Sequence, residues 1–90
     1  MTPKDNEIRR RLTLVREWKD MTQAEFCRAT GISQTLWSMI EGGTRKCSHR
    51  NLSKIKSAFS VPFDWLYDGD ITEQIPNGLL KYVNTKLRMD

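Results

Sequence analysis

Residues 22 to 41, TQAEFCRATGISQTLWSMIE, leave the chain few choices. Thr22 is placed to accept the backbone N–H three residues on, and Glu25 to reach back to the Thr22 amide, the reciprocal pair that opens a helix. Phe26, Cys27 and Thr30 then share one mostly apolar face. Gly31 follows; without a Cβ it takes a positive φ at no steric cost and turns the chain. Ser33, directly after Ile32, is a good N-cap for a second helix. The stretch reads as two short helices around a tight turn, and the rest of the chain has to hold and aim the second.

Two helices joined so tightly make a helix-turn-helix unit, in which the second helix, here residues 33 to 41, can lie in a DNA major groove. At about 100° per residue, Leu36, Trp37 and Ile40 gather on one side and Gln34, Thr35 and Ser38 on the other. The outer set is an amide and two hydroxyls. Gln suits the N6/N7 edge of adenine, and Thr or Ser suits several bases. An ordinary amphipathic helix with a solvated polar side has the same pattern, so the wheel alone leaves both readings open.

Charge distribution favours the first. Fifteen Lys and Arg against eleven Asp and Glu give a net charge of +4. Residues 21 to 40 are neutral overall, whereas residues 41 to 60 carry five basic side chains and one acidic. A basic segment beside a neutral, hydrogen-bonding helix is what phosphate anchoring plus base readout requires.

The other segments supply a scaffold. Ile8, Leu12, Val15 and Trp18 recur at helical spacing, predicting a first helix that starts near Asp5 or Asn6, with Trp18 in the core. Arg9, Arg10, Arg11, Arg16 and Lys19 surround that stripe, as a solvated outer face or as phosphate contacts. Gly42 and Gly43 end the second helix of the motif, and Thr44, Arg45 and Lys46 form a polar, basic loop whose amides and cations could both meet a phosphate. Ser48 caps a helix with the stripe Leu52, Ile55 and Phe59. Pro62 opens a short helix over residues 63 to 67, ending at Asp68 and Gly69. Five helices are thus expected within the first seventy residues.

Val15-Arg16, Gln23 with Phe26, Gly31-Ile32-Ser33, the run from Trp37 to Glu41 ending in Gly43, Leu52 with Ile55, and Val61-Pro62-Phe63-Asp64-Trp65-Leu66 together resemble the lambda-repressor-like (Xre-type) helix-turn-helix domain of phage repressors and Cro proteins. The resemblance spans roughly residues 8 to 69. It implies an all-α, five-helix DNA-binding domain over residues 1 to 70, a regulator of transcription that most often represses, and a homodimer on a palindromic operator.

Carried over by position, the resemblance implies base contacts from Gln34 and Thr35, secondary ones from Ser38 and Met39, and phosphate contacts from Gln23, Ser33, Thr44, Arg45 and Lys46. Glu41 matches a structural residue. The chain departs from the family at Trp37, where a smaller aliphatic is usual, at Cys27, where Ala is usual, and at Pro62, which replaces a capping Ser. The first two predict a re-packed core around the motif and leave the outward face alone.

Residues 71 to 90 lie beyond the resemblance and are expected as a short helical extension. Pro76 and Asn77 can start a helix in which Leu80, Val83 and Leu87 make a seam, with Leu79 beside it. The seam folds back on its own domain, serves as a dimer contact or stays disordered, the dimer contact being favoured because one reading helix per copy gains affinity and site length by pairing.

Cys27 and Cys47, with His49 as the sole histidine, have no zinc-ligand spacing and are expected as reduced thiols, with no metal or other cofactor. No nucleophile sits with a base and an orienting group, so no enzyme is expected. The start MTPKDNEI lacks the apolar core of a signal peptide and no apolar run would span a bilayer, which predicts a cytoplasmic protein without membrane contact. The alternative to a plain regulator is an antitoxin-type module that covers a toxin or other protein partner and autoregulates its own operon.

Overall fold

The structure, a computed structural model, describes residues 2–70 and 75–89. The described residues form six helices and no strand: α1 (Pro3–Trp18), α2 (Gln23–Thr30), α3 (Gln34–Glu41), α4 (His49–Phe59), α5 (Phe63–Asp68) and α6 (Asn77–Met89).

Local sequence explains most boundaries. Thr22 accepts from the Glu25 amide while Glu25 takes the Thr22 N–H, so α2 begins with the expected capping box. Gly31 sits at φ 80° and ends α2. The buried Thr30 hydroxyl strengthens this turn by donating to the Phe26 carbonyl and accepting from the Ile32 amide. Ser33 and Ser48 cap α3 and α4 through the amides of Leu36 and Asn51.

Two boundaries differ from expectation. Helix α1 starts at Pro3, ahead of Asp5, because Thr2 and Asp5 form a second capping box with Pro at its first position. Helix α4 ends at Ser60, which adopts a left-handed φ of 56° although it is not glycine. At α5, Pro62 takes the N-cap position with no side-chain hydrogen bond, so burial of Trp65 and Leu66 has to secure the helix.

All six helices contribute to one core. Leu12, Val15, Phe26, Trp37, Leu52, Ile55, Leu66 and Leu79 are among its least exposed side chains. Phe26 lies between Trp37 and Phe59, with ring centroids 4.4 and 5.2 Å away. Each such side chain stabilises the fold by about 1.5–3 kcal/mol through removal from water. Trp37 and Cys27 both point inward, so the two unusual residues of the motif are packing residues.

The C-terminal helix folds back onto α1. Ile75 and Leu79 enter the core, the Tyr82 hydroxyl lies 3.3 Å from Glu17, and Lys86 lies 4.0 Å from the same carboxylate. A Cβ at Gly78 would stand 3.2 Å from Trp18 Nε1, so glycine allows the close approach, and Trp18 is partly buried beneath α6. Of the expected seam, Leu80 and Val83 are partly buried against the core, and the Leu87 side chain lies outside the described residues. It is Leu79, beside the seam, that anchors the helix.

Candidate nucleic-acid interface

Helices α2 and α3 present the surface expected of the motif. Gln34, Thr35, Ser38 and Met39 are exposed, while Trp37 and Ile40 are buried and Leu36 is partly buried. Met39, 40% exposed, is a large apolar side chain left on the surface. The exposed face of α3 is uncharged, and Arg45 and Lys46 stand exposed just past its C-terminus.

Under that face lies a polar clamp centred on Glu41. Arg16 donates to it through Nε at 2.5 Å and Nη2 at 3.2 Å, Trp37 through its indole N–H at 2.7 Å, and Gln23 through Nε2 at 3.1 Å. Each carboxylate oxygen receives two donors, which fills the roughly four acceptor sites a carboxylate offers. The Arg16 and Glu41 side chains are 20% and 11% exposed, so the pair is partly shielded from water. The clamp ties α3 to α1 and α2 and sets the rotation of α3 about its own axis.

The α1 arginines are structural to an extent the sequence pattern does not reveal. Arg16 also donates to the Met21 carbonyl at 2.9 Å. Arg9 donates to the Glu41 carbonyl at 3.3 Å, and Arg11 to the Tyr67 carbonyl at 3.1 Å. Cations placed on the C-terminal carbonyls of α3 and α5 satisfy orphan acceptors and oppose the helix dipoles. These three side chains are neither a solvated outer face nor free for phosphates; Arg10 remains exposed.

The expected phosphate set divides in the same way. Arg45 and Lys46 are free to reach outward. Ser33 uses its oxygen to accept from Leu36 and keeps its hydroxyl proton. Gln23 donates one Nε2 hydrogen to Glu41 and accepts from the Ser38 hydroxyl at Oε1, which leaves a second N–H. Thr44 differs: Gly43, at φ 82°, turns the chain back, so that the Thr44 amide and hydroxyl and the Arg45 amide all point at the Met39 carbonyl. The Thr44 and Arg45 amides thus satisfy the end of α3, and the side chains of Arg45 and Lys46 face outward.

Among the described residues, two carboxylates and two thiols have shifted ionisation for plain local reasons. The Thr22 amide bonded to Glu25 and the Thr2 amide bonded to Asp5 hold both carboxyls below their usual range, helped by the Thr hydroxyls. Burial raises the Cys27 thiol, with the nearby Glu41 charge adding to it, and burial alone pushes Cys47 up to about 12. Both cysteines are free. Among the described residues no cluster of His, Cys, Asp and Glu could hold a metal ion, and no helix is long and apolar enough to cross a membrane.

Residues 7–61 match a family model described as a helix-turn-helix domain. That match covers more than half of the chain, and the chain belongs to this family. No match was found among curated proteins or solved structures. Membership of a helix-turn-helix family suggests a DNA-binding regulator, in agreement with the surface that α3 presents.

Proposed function

We propose that the chain is a sequence-specific, double-stranded-DNA-binding regulator of transcription of the lambda-repressor-like (Xre-type) class, acting as a repressor. Residues 1 to 70 are its DNA-binding unit, with α3 in the major groove. Gln34 pairs with one adenine through two hydrogen bonds and Thr35 reads its neighbour, while Ser38 and Met39 contact flanking bases, Met39 meeting a thymine methyl. Arg45 and Lys46 neutralise phosphates, and Ser33 and the second Gln23 N–H donate to the backbone near the start of α3.

One observation carries this proposal: an uncharged, hydrogen-bonding helix face is clamped from beneath by Arg16, Gln23 and Trp37 on Glu41, and exposed cations stand at its end. The clamp fixes the rotation of α3, as readout of base edges requires. The homodimer belongs to the same proposal, since two copies of α3 on a palindrome read twice the sequence. Leu80 and Val83 of residues 71 to 90 retain partial exposure for that contact.

Selection of bound duplexes from random DNA tests both parts. The expected product is a palindrome with half-sites about 10 bp apart, centre to centre. Binding without sequence preference would contradict the regulator, and a single asymmetric site would contradict the dimer.

A further inference from the structure

The hydrogen bonds beneath α3 run in one direction, and they end on its outward face. A carboxylate only accepts, so the Gln23 amide turns its Nε2 toward Glu41 Oε2, at 3.1 Å. Gln23 Oε1 therefore faces Ser38. That oxygen cannot donate, so the Ser38 hydroxyl donates to it, at 2.9 Å. Reversing the amide would set its carbonyl against a carboxylate already held by Arg16 and Trp37, two acceptors with no proton between them.

A serine hydroxyl has one proton and two acceptor lone pairs. With the proton committed inward, Ser38 meets a ligand in front of α3 as an acceptor. The donors that base edges present in the major groove are the exocyclic amino groups, whereas N7, O6 and O4 are acceptors. We propose that Ser38 is a specificity-determining residue that selects an exocyclic amino group, adenine N6 or cytosine N4, with its polarity imposed by Glu41 through Gln23. This rests on the reading above, in which α3 occupies the major groove. It adds a hydrogen-bond rule at one position: Ser38 works as an acceptor, and Gln23 and Glu41 are its positioning residues.

The test uses the full chain and a duplex it has selected, with base analogues placed one at a time. The pair read by Ser38 is the one whose analogue sensitivity disappears in Ser38→Ala, a surface change whose melting temperature should match the wild type. There, purine in place of adenine, or 2-pyrimidinone in place of cytosine, removes the amino group. It should weaken wild-type binding about three- to tenfold, the size of one net hydrogen bond, and leave Ser38→Ala unaffected.

A 7-deazapurine, which lacks the N7 acceptor, should leave wild-type binding unchanged at that pair. In Gln23→Leu, which frees the serine proton, the preference for the amino group should relax toward equal tolerance of acceptors. Wild-type sensitivity to loss of N7 instead of the amino group overturns the inference, as does a Ser38→Ala protein with no altered base pair. Both results leave the DNA-binding reading standing if the wild type still selects a sequence. Absence of any sequence selection overturns the reading and the inference together.

Discussion

Trp37 donates its indole N–H to Glu41, one turn further along α3, at 2.7 Å, while its ring packs on Phe26 with centroids 4.4 Å apart. One side chain thus serves the apolar core and the polar clamp. Trp37→Ala removes both, and unfolding by denaturant should show a loss of about 3–5 kcal/mol, a large share of the roughly 5–15 kcal/mol available to a small domain. Trp37→Phe keeps much of the packing and removes one donor from Glu41, so its loss should be smaller, about 1–3 kcal/mol.

Arg45 and Lys46 stand exposed beyond the C-terminus of α3, in the most basic part of the chain. Arg45→Ala and Lys46→Ala should each weaken binding to all duplexes alike, and each should reduce the magnitude of the log-affinity against log-salt slope by roughly one unit. Titrations at several salt concentrations check this. An unchanged slope in both variants would place the phosphate contacts elsewhere.

What could be read in advance follows from how local each interaction is. The capping box of Thr22 and Glu25, the left-handed Gly31 and the cap at Ser33 all lie within a few residues of the structure they specify, so α2, the turn and α3 were legible. The box of Thr2 and Asp5 has the same logic but carries Asp where Glu or Gln marks the motif, so the start of α1 at Pro3 is less visible in the sequence. Arg9, Arg11 and Arg16 could not be assigned, because their acceptors are Glu41 and the end of α5, which only the fold brings within reach. The outward face of α3 was legible from helical period, whereas the commitment of Gln23 to Glu41 depended on tertiary geometry.

Leu79 is fully buried on α6 and anchors the C-terminal helix to the core. Leu79→Ala should therefore cost about 2–5 kcal/mol of stability, the range for a buried leucine. Leu80→Ala, at a partly exposed seam position, should cost less. Sedimentation of Leu80→Ala and Val83→Ala separates the two roles of the helix: a shift from dimer to monomer, with a smaller loss of stability than in Leu79→Ala, is the expected result.

Thr22 holds the Glu25 carboxyl below its ordinary value of 4.5 by amide and hydroxyl hydrogen bonds. Because the folded value is the depressed one, the ionised group favours folding above the ordinary value, and that contribution is lost as pH falls through the folded value. Melting temperature should accordingly decline on the acid side below pH 4.5. Glu25→Gln keeps an acceptor for the capping box but does not titrate, so its decline over the same range should be shallower. Identical acid profiles would contradict a role for Glu25 ionisation.

The central claim is that α3 reads DNA through its exposed face of Gln34, Thr35, Ser38 and Met39, and Gln34 is its most exacting position. Wild type and Gln34→Ala should be titrated against the selected duplex and a scrambled one, with melting temperatures measured alongside. Gln34→Ala should lose about 1–3 kcal/mol on the selected duplex and its preference at one base pair per half-site, with scrambled-duplex affinity and melting temperature unchanged. A Gln34→Ala protein that keeps full base preference, beside a Trp37→Ala protein that stays folded and loses it, would put the reading surface on the opposite face of α3.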